Sequence, residues 1–553
     1  MPRSFRLAGQ RARGREQVGY NLWKASFDSV DSSLGPRHVT ENQPMTAIAV
    51  SLTLVVTAPL EVRPPAGALV TEGRRLLEAG RLDEAREALE TAASRDPASA
   101  APHVLLGRLH EARRILPAAA AAYERALALD PDLAEAHDGL GFVLGQLGQT
   151  ADAIHHFRRA VELRPDLFDA QYHLGATLWW THDPAGAEAA LQAAVLLRPD
   201  HAEARYYLGV TQRQLGAAPS AVEHLRRAVA LSPGLAPAHM QLGIALQQLD
   251  DLEGAVAALR RACELDPRLL DARNSLGLAL SLKGESDEAI AVLRALVAEH
   301  EDYGPARQNL GTALMQAGDL EGAAAVYEEL IARHPRSAEA YYNLGLALKQ
   351  ADDFAGAEAR LRRAMELDPA LADAPYTLGV VLWQTSRLEE AKAAFREAVA
   401  RRSDYTDAHF MLGTVLQQAG DAEGALAAFR EAVALDPESP EAHLSLGQLL
   451  QRKGDTGGAR AALAEARRLR QKKADRQAAA FAMDLGQRRL AAGDLDGAAS
   501  SFREAVRLFP EDPDAHLHLA DALERRGDAE EARAHRAEAR RLAPHLEIAK
   551  TER

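Results

Sequence analysis

The sequence predicts an all-α solenoid of about fourteen helix-turn-helix units, and three observations predict it. Proline recurs at Pro97, Pro131, Pro165, Pro199, Pro233 and Pro267, each 34 residues after the last. When that proline is numbered 32 in its unit, position 8 is glycine thirteen times, from Gly73 to Gly486, and position 20 is alanine in all fourteen units, from Ala85 to Ala532. Finally, 553 residues at 47% hydrophobic but only 5% aromatic suit an extended array better than a few large-cored domains. A fixed period of this length marks stacked units, each too small to bury its own apolar face.

Each unit is expected to hold one helix over positions 2–14 and a second over 18–30, with a turn between them near Gly80, Gly148, Gly216, Gly284, Gly318 or Gly420. Leucine fills position 7 in all units but the first, and position 24 is Leu, Phe or Tyr except at Arg536. A glycine inside a helix costs about 1 kcal/mol relative to alanine. Thirteen of them at one helical position therefore need a compensating reason, and close approach of the partner helix supplies it. Alanine at position 20 serves the same contact from the other side, and proline at 32 stops the second helix.

Twelve units cover 66–473 without a gap; an insertion at 474–478 precedes two more at 479–546, and 547–553 is a tail. Around the insertion, Arg467, Arg468, Arg470, Lys472, Lys473 and Arg476 cluster where the proline of unit twelve is replaced by Gln471, which predicts one long helix running through. The cluster reads as a solvated charged face, with a docking patch for an acidic partner as the alternative. The last unit carries Arg536 in place of the large apolar residue, on a strongly charged helix suited to cap an open stack.

Residues 1–44 are expected to be a disordered or misassigned extension, and 45–65 contain an apolar run, Ala47–Leu60, of fourteen uncharged residues. That is too short for a membrane span, which needs about 20 residues, and is better matched to a signal-peptide core. If Met45 is the true start and 45–68 a signal peptide, the protein is exported to a periplasmic or secreted location; otherwise it is cytoplasmic. No lysine or arginine lies between Met45 and Leu60, so the basic flank of such a signal is missing.

The pattern of Leu-Gly at 7–8, Ala at 20, a large apolar residue at 24 and Pro at 32 resembles the tetratricopeptide-repeat (TPR) family over about 480 of 553 residues. Glu301, Ser403 and Gln471 stand where that family has proline, and Ala520 where it has glycine. The resemblance implies a right-handed αα superhelix that binds segments of partner proteins along its concave face, as a non-catalytic scaffold or adaptor. Long arrays of this kind are also similar to those of protein O-linked N-acetylglucosamine transferases, which makes a substrate-recruiting subunit of a protein glycosyltransferase system the alternative. Asparagine at position 6 lines the groove in that family; here only Asn309 and Asn343 match, and the sequence ends where a catalytic domain would begin.

No chemistry is legible in the residues. Phosphate-cradling Gly-x-x-x-x-Gly-Lys, Gly-x-Ser-x-Gly and His-Glu-x-x-His motifs are absent, so no cofactor is expected. Cys263 is the sole cysteine and reads as a small buried hydrophobe. Nineteen histidines are scattered, with His155-His156 expected to be a solvated pair, so no metal site is expected. A formal net charge of −14 argues against nucleic acid as a partner.

The candidate partner-binding residues lie on the first helices. Position 5 faces the hollow in the family the sequence resembles, and here it includes Tyr172, Tyr206, Met240, Tyr342, Tyr376 and Phe410. Trp179, Trp180 and Trp383 occupy positions 12–13 of the same helices. Aromatic side chains of this kind are typical interface anchors, and packing between adjacent units is the competing role. Because stability in a solenoid is mostly nearest-neighbour, deleting the whole unit 236–269 should leave a folded, shorter array. Deleting half a unit should not, and circular dichroism of the two deletions checks the register.

Overall fold

A computed structural model describes residues 64–543, so the expectations for 1–44, for nearly all of 45–65 and for the tail at 547–553 lie outside the described residues. Its two compact units divide at Ala317 and Gly318. The first runs through fifteen helices from Ala66–Glu78 to Gly304–Gln316, and the second through twelve from Leu320–Arg333 to Ala529–Leu542. In the regular repeats the helices occupy positions 1–13 and 17–30, so the first of each pair starts one residue earlier than the periodicity alone suggested. Helical structure with no strand among the described residues makes this an all-α repeat array.

Within a pair the two helices meet at the glycine of position 8. A Cβ built on Gly209 would lie 2.7 Å from Leu225 Cγ and 3.1 Å from the Ala221 carbonyl, and one on Gly379 would lie 2.7 Å from the Phe395 ring. Leu225 and Phe395 are position-24 residues with no exposed surface, and Ala221 is the position-20 alanine. The last unit shows the same rule in reverse. There Ala520 replaces the glycine and is fully buried, because the position-24 residue is Arg536, whose guanidinium swings out to Asp521, 3.1 Å away, and to Glu524. The closing helix Ala529–Leu542 buries little besides Ala532 and Ala539, which suits an end left open to water.

Position 15 ends every first helix in the left-handed region. Nine units place glycine there, such as Gly420 at φ +83°, and five do not: Arg114, His182, Asp250, Asp352 and Ser386, at φ 57–63°. Glycine adopts that conformation freely, whereas a Cβ meets the following carbonyl. The second helix then starts, in seven units, from an aspartate at position 16 whose carboxylate accepts the N–H of a glycine three residues on, as Asp421 does from Gly424 at 2.9 Å. The Asp-x-x-Gly signature satisfies one of the free donors of the first turn.

Successive pairs are tied at the inter-unit turn by position 4. Its side chain bonds the carbonyl of position 32 before it: His137 to Pro131 at 3.0 Å, Gln171 to Pro165 at 3.0 Å, His409 to Ser403 at 2.9 Å and His443 to Pro437 at 3.1 Å. Several of the scattered histidines thus have structural work. His156 is one correction to the sequence reading: it is half-buried, with Nδ1 2.9 Å from Nδ1 of His137, while its neighbour His155 is the exposed member. Cys263 is half-buried, and that burial pushes its thiol up to about 11, so it stays neutral.

The insertion does not interrupt the chain's path. Thr456–Ala491 is one helix of 36 residues, serving as the second helix of one pair and the first of the next. The left-handed and glycine positions yield paired expectations for thermal unfolding. Ser386→Gly should raise stability by about 0.5–1 kcal/mol through relief of backbone strain. Gly413→Ala, whose new Cβ would stand 2.7 Å from the Phe429 ring, should lower it by about 1–3 kcal/mol.

Candidate functional site

The first helices carry the sequence-nominated residues, and the structure sorts these by exposure. In the first compact unit Tyr172, Tyr206 and Met240 are only 5%, 4% and 5% exposed. Tyr172 stacks on Phe168 with centroids 5.8 Å apart and planes at 5°, and approaches Tyr207 at 6.2 Å. Tyr207 in turn meets Tyr206 at 5.0 Å and Trp179 edge-on at 5.2 Å. Together these rings form a connected aromatic ladder across two neighbouring first helices, held by offset and edge contacts. Trp179 and Trp180 are half-buried, and the Trp179 indole N–H is enclosed with no acceptor. Burial drives the Tyr206 hydroxyl well above its usual range, so it remains a neutral donor.

In the second compact unit Tyr342, Tyr376, Trp383 and Phe410 are all half-buried, each packed from one side on a single apolar cluster. Tyr376 lies 4.9 Å from Tyr405, whose ring is capped by the Arg402 guanidinium at 3.6 Å. The Tyr405 hydroxyl and Arg402 both donate to Asp373 Oδ1, each at 2.8 Å. Burial pushes the Tyr376 hydroxyl up to about 12. Trp383 donates its indole N–H to Gln418 Oε1 at 2.9 Å and borders an open cleft of about 410 Å3 lined also by Gln384, Ser386 and Leu388.

Several partners were missed by reading the sequence, although a numerical signal existed for them. Hydrogen bonds between neighbouring first helices join residues 35 apart: Asp138 to His173, Asn274 to Asn309, Ser281 to Gln316 and Trp383 to Gln418. Position 5 therefore pairs with position 6 of the next unit, and position 12 with position 13. Asn309, one of the two asparagines that match the glycosyltransferase arrays, spends its amide on Asn274 at 2.9 Å.

A polar rung precedes the first aromatic ladder. His173 Nδ1 donates to Asp138 Oδ1 at 2.9 Å; burial opposes the imidazolium, but the charge and hydrogen bond of Asp138 outweigh it, and the His173 pKa is raised. Beside them Glu111 bonds the Tyr123 hydroxyl while its Oε1 is enclosed without a partner. Burial first, and the Asp138 charge after it, push the Glu111 carboxyl up to about 7. Among the described residues no group of three or more His, Cys, Asp and Glu side chains is placed to hold a metal, and no helix is long and apolar enough to cross a membrane.

Comparison with known proteins covers nearly the whole array. Family models described as tetratricopeptide repeat match residues 70–134, 134–167, 177–236, 236–269 and 483–547. A model described as the cilia and flagella-associated protein 70 C-terminal domain matches 269–483. None of the curated proteins matches. Among solved structures, MamA is 26% identical over 30% of this chain and 96% of its own, with a TM-score of 0.29. YrrB, a TPR protein with an unusual peptide-binding site, is 27% identical over 34% of this chain and 96% of its own, at 0.32. Yeast Tom70 is 14% identical over 73% of this chain and 96% of its own, at 0.40.

The polar rung has a testable pH signature. The folded Glu111 value of about 7 lies above the ordinary 4.5, so the folded chain holds that proton more tightly than the unfolded one. Its contribution to stability is complete below about 4.5 and is lost as pH rises toward about 7. Glu111→Gln should therefore gain on the wild type between pH 5 and pH 8, by an amount on the order of 1–3 kcal/mol. Parallel stability curves for the two proteins would show that the carboxyl is not held neutral.

Proposed function

Because this chain belongs to the tetratricopeptide-repeat family, we propose that it is a non-catalytic scaffold that holds segments of partner proteins against the first-helix face of its array. The observation that carries the reading is the row of half-buried Tyr342, Tyr376, Trp383 and Phe410 on successive first helices, beside the open cleft at Trp383. An anchor residue must be both firmly held and accessible, and these side chains pack on the core from one side only. The better-buried Tyr172, Tyr206 and Met240 would act by shaping the first-helix face of the first compact unit, with Trp179 and Trp180 nearer its surface. A groove with such a lining favours apolar or aromatic side chains in an extended or helical segment, and the acidic body disfavours nucleic acid.

The role needs no catalysis, cofactor or metal. Incubation of the purified chain with a nucleotide-sugar donor and acceptor peptide should give no transfer, and turnover would favour the glycosyltransferase reading instead. For the site itself, partners are captured by affinity pull-down, identified by mass spectrometry and titrated individually. Trp383→Ala and Tyr342→Ala should each weaken a captured partner by upwards of about 2 kcal/mol, roughly thirtyfold, with the thermal midpoint nearly unchanged. A fall of several degrees in the midpoint with no separate loss of binding would make these residues core and remove them from the site.

A further inference from the structure

The long helix Thr456–Ala491 contains a stretch that the array leaves uncovered. Its first half is buried through Ala462, Ala466 and Leu469, and its second through Ala479, Ala482 and Gly486. From 470 to 478 no residue is buried. The five inserted residues turn the helix by about 140° at 3.6 residues per turn, so the side that packs against one pair is not the side that packs against the next. Between Leu469 and Ala479 about 15 Å of helix, at 1.5 Å per residue, is mostly open to water, with Lys472 and Asp475 half-buried and Arg476 lying over the Phe509 ring.

That stretch is also the most unbalanced in charge. Residues 467–478 contain six basic side chains and one acidic, Asp475, for a net of +5 in a chain whose total is −14. Several exposed arginines elsewhere are answered by a glutamate three residues away, as Arg81 is by Glu84, Arg363 by Glu366 and Arg541 by Glu538, although others such as Arg86 and Arg430 stand alone among the described residues. Here Arg468 has such a partner in Glu465 and Lys472 reaches Glu438, 34 residues back, while Arg467, Arg470 and Lys473 form no ion pair among the described residues. On the same side of the helix stands Phe481, 69% exposed, the most exposed aromatic ring described. Helical spacing sets Arg467, Arg470, Lys473 and Phe481 within an arc of about 120°.

We infer that this face is a second docking surface, separate from the first-helix groove, for an acidic protein segment that carries an apolar residue at one end. The cations would meet the carboxylates, and Phe481 would take the apolar side chain. A nucleic acid fits less well, since any polyanion longer than the patch runs on to an acidic body.

The test uses the full chain and a short fluorescein-labelled peptide of alternating glutamate and aspartate ending in a pair of leucines, read by anisotropy. Binding is expected, weakening as salt is raised. The double variant Arg470→Glu, Lys473→Glu should lose affinity about tenfold or more, and Phe481→Ala about fivefold or more. Arg363→Glu, at an exposed arginine outside the patch, should stay within about twofold, and circular dichroism should match in all of them. The inference is overturned if the wild type does not bind the peptide or if the patch variants bind as it does. It is equally overturned if the glutamine and asparagine version of the peptide binds equally well, or if a single-stranded oligonucleotide of the same charge binds more tightly than the peptide.

Discussion

The contact between the glycine at position 8 and the large side chain at position 24 decides how near the two helices of a pair can lie, and the rest of the repeat is arranged around that distance. A Cβ on Gly243 would come within 2.5 Å of Leu259 and 3.0 Å of the Ala255 carbonyl, so the partner helix sits against bare backbone. Filling that volume costs more than the roughly 1 kcal/mol lost by keeping glycine in a helix. The pairing of Ala520 with Arg536 is the informative exception: once the large apolar side chain is gone, a methyl group occupies its space.

Close pairs still have to be stacked, and hydrophobic area alone does not set a register. Two hydrogen-bond rules do so here. Position 4 closes on the carbonyl of position 32 across most inter-unit turns, and residues 35 apart join neighbouring first helices. Each bond is worth on the order of 1 kcal/mol, but each is directional and forms in one alignment only. A repeat array needs such bonds because every unit presents nearly the same apolar surface to its neighbours.

The same geometry creates the functional surface. First helices that are pinned to one another in a fixed register present equivalent side chains, such as those of positions 5 and 12, in rows one unit apart. In 338–418 those rows are aromatic and half open, whereas in 168–240 the rings turn on one another and close. In the long helix five inserted residues rotate the packed side and expose a basic stretch.

Much of the architecture was legible in the sequence by itself. The period of 34, the paired helices, the glycine contact, the charged end and the helix through the insertion all follow from spacing and residue size, which are local and repeat many times. The Asp-x-x-Gly caps and the 35-residue pairs were present in the sequence but became recognisable only when donors and acceptors were seen to face one another. What tertiary structure alone decided is exposure. Tyr206 and Tyr342 hold the same position in their units, yet one is 4% exposed and the other half-buried. Each ring's surroundings come in part from the neighbouring units, as where Tyr207, itself against Tyr206 at 5.0 Å, meets Trp179 of the preceding unit at 5.2 Å, and a period in the sequence specifies which residues are equivalent without specifying what surrounds them.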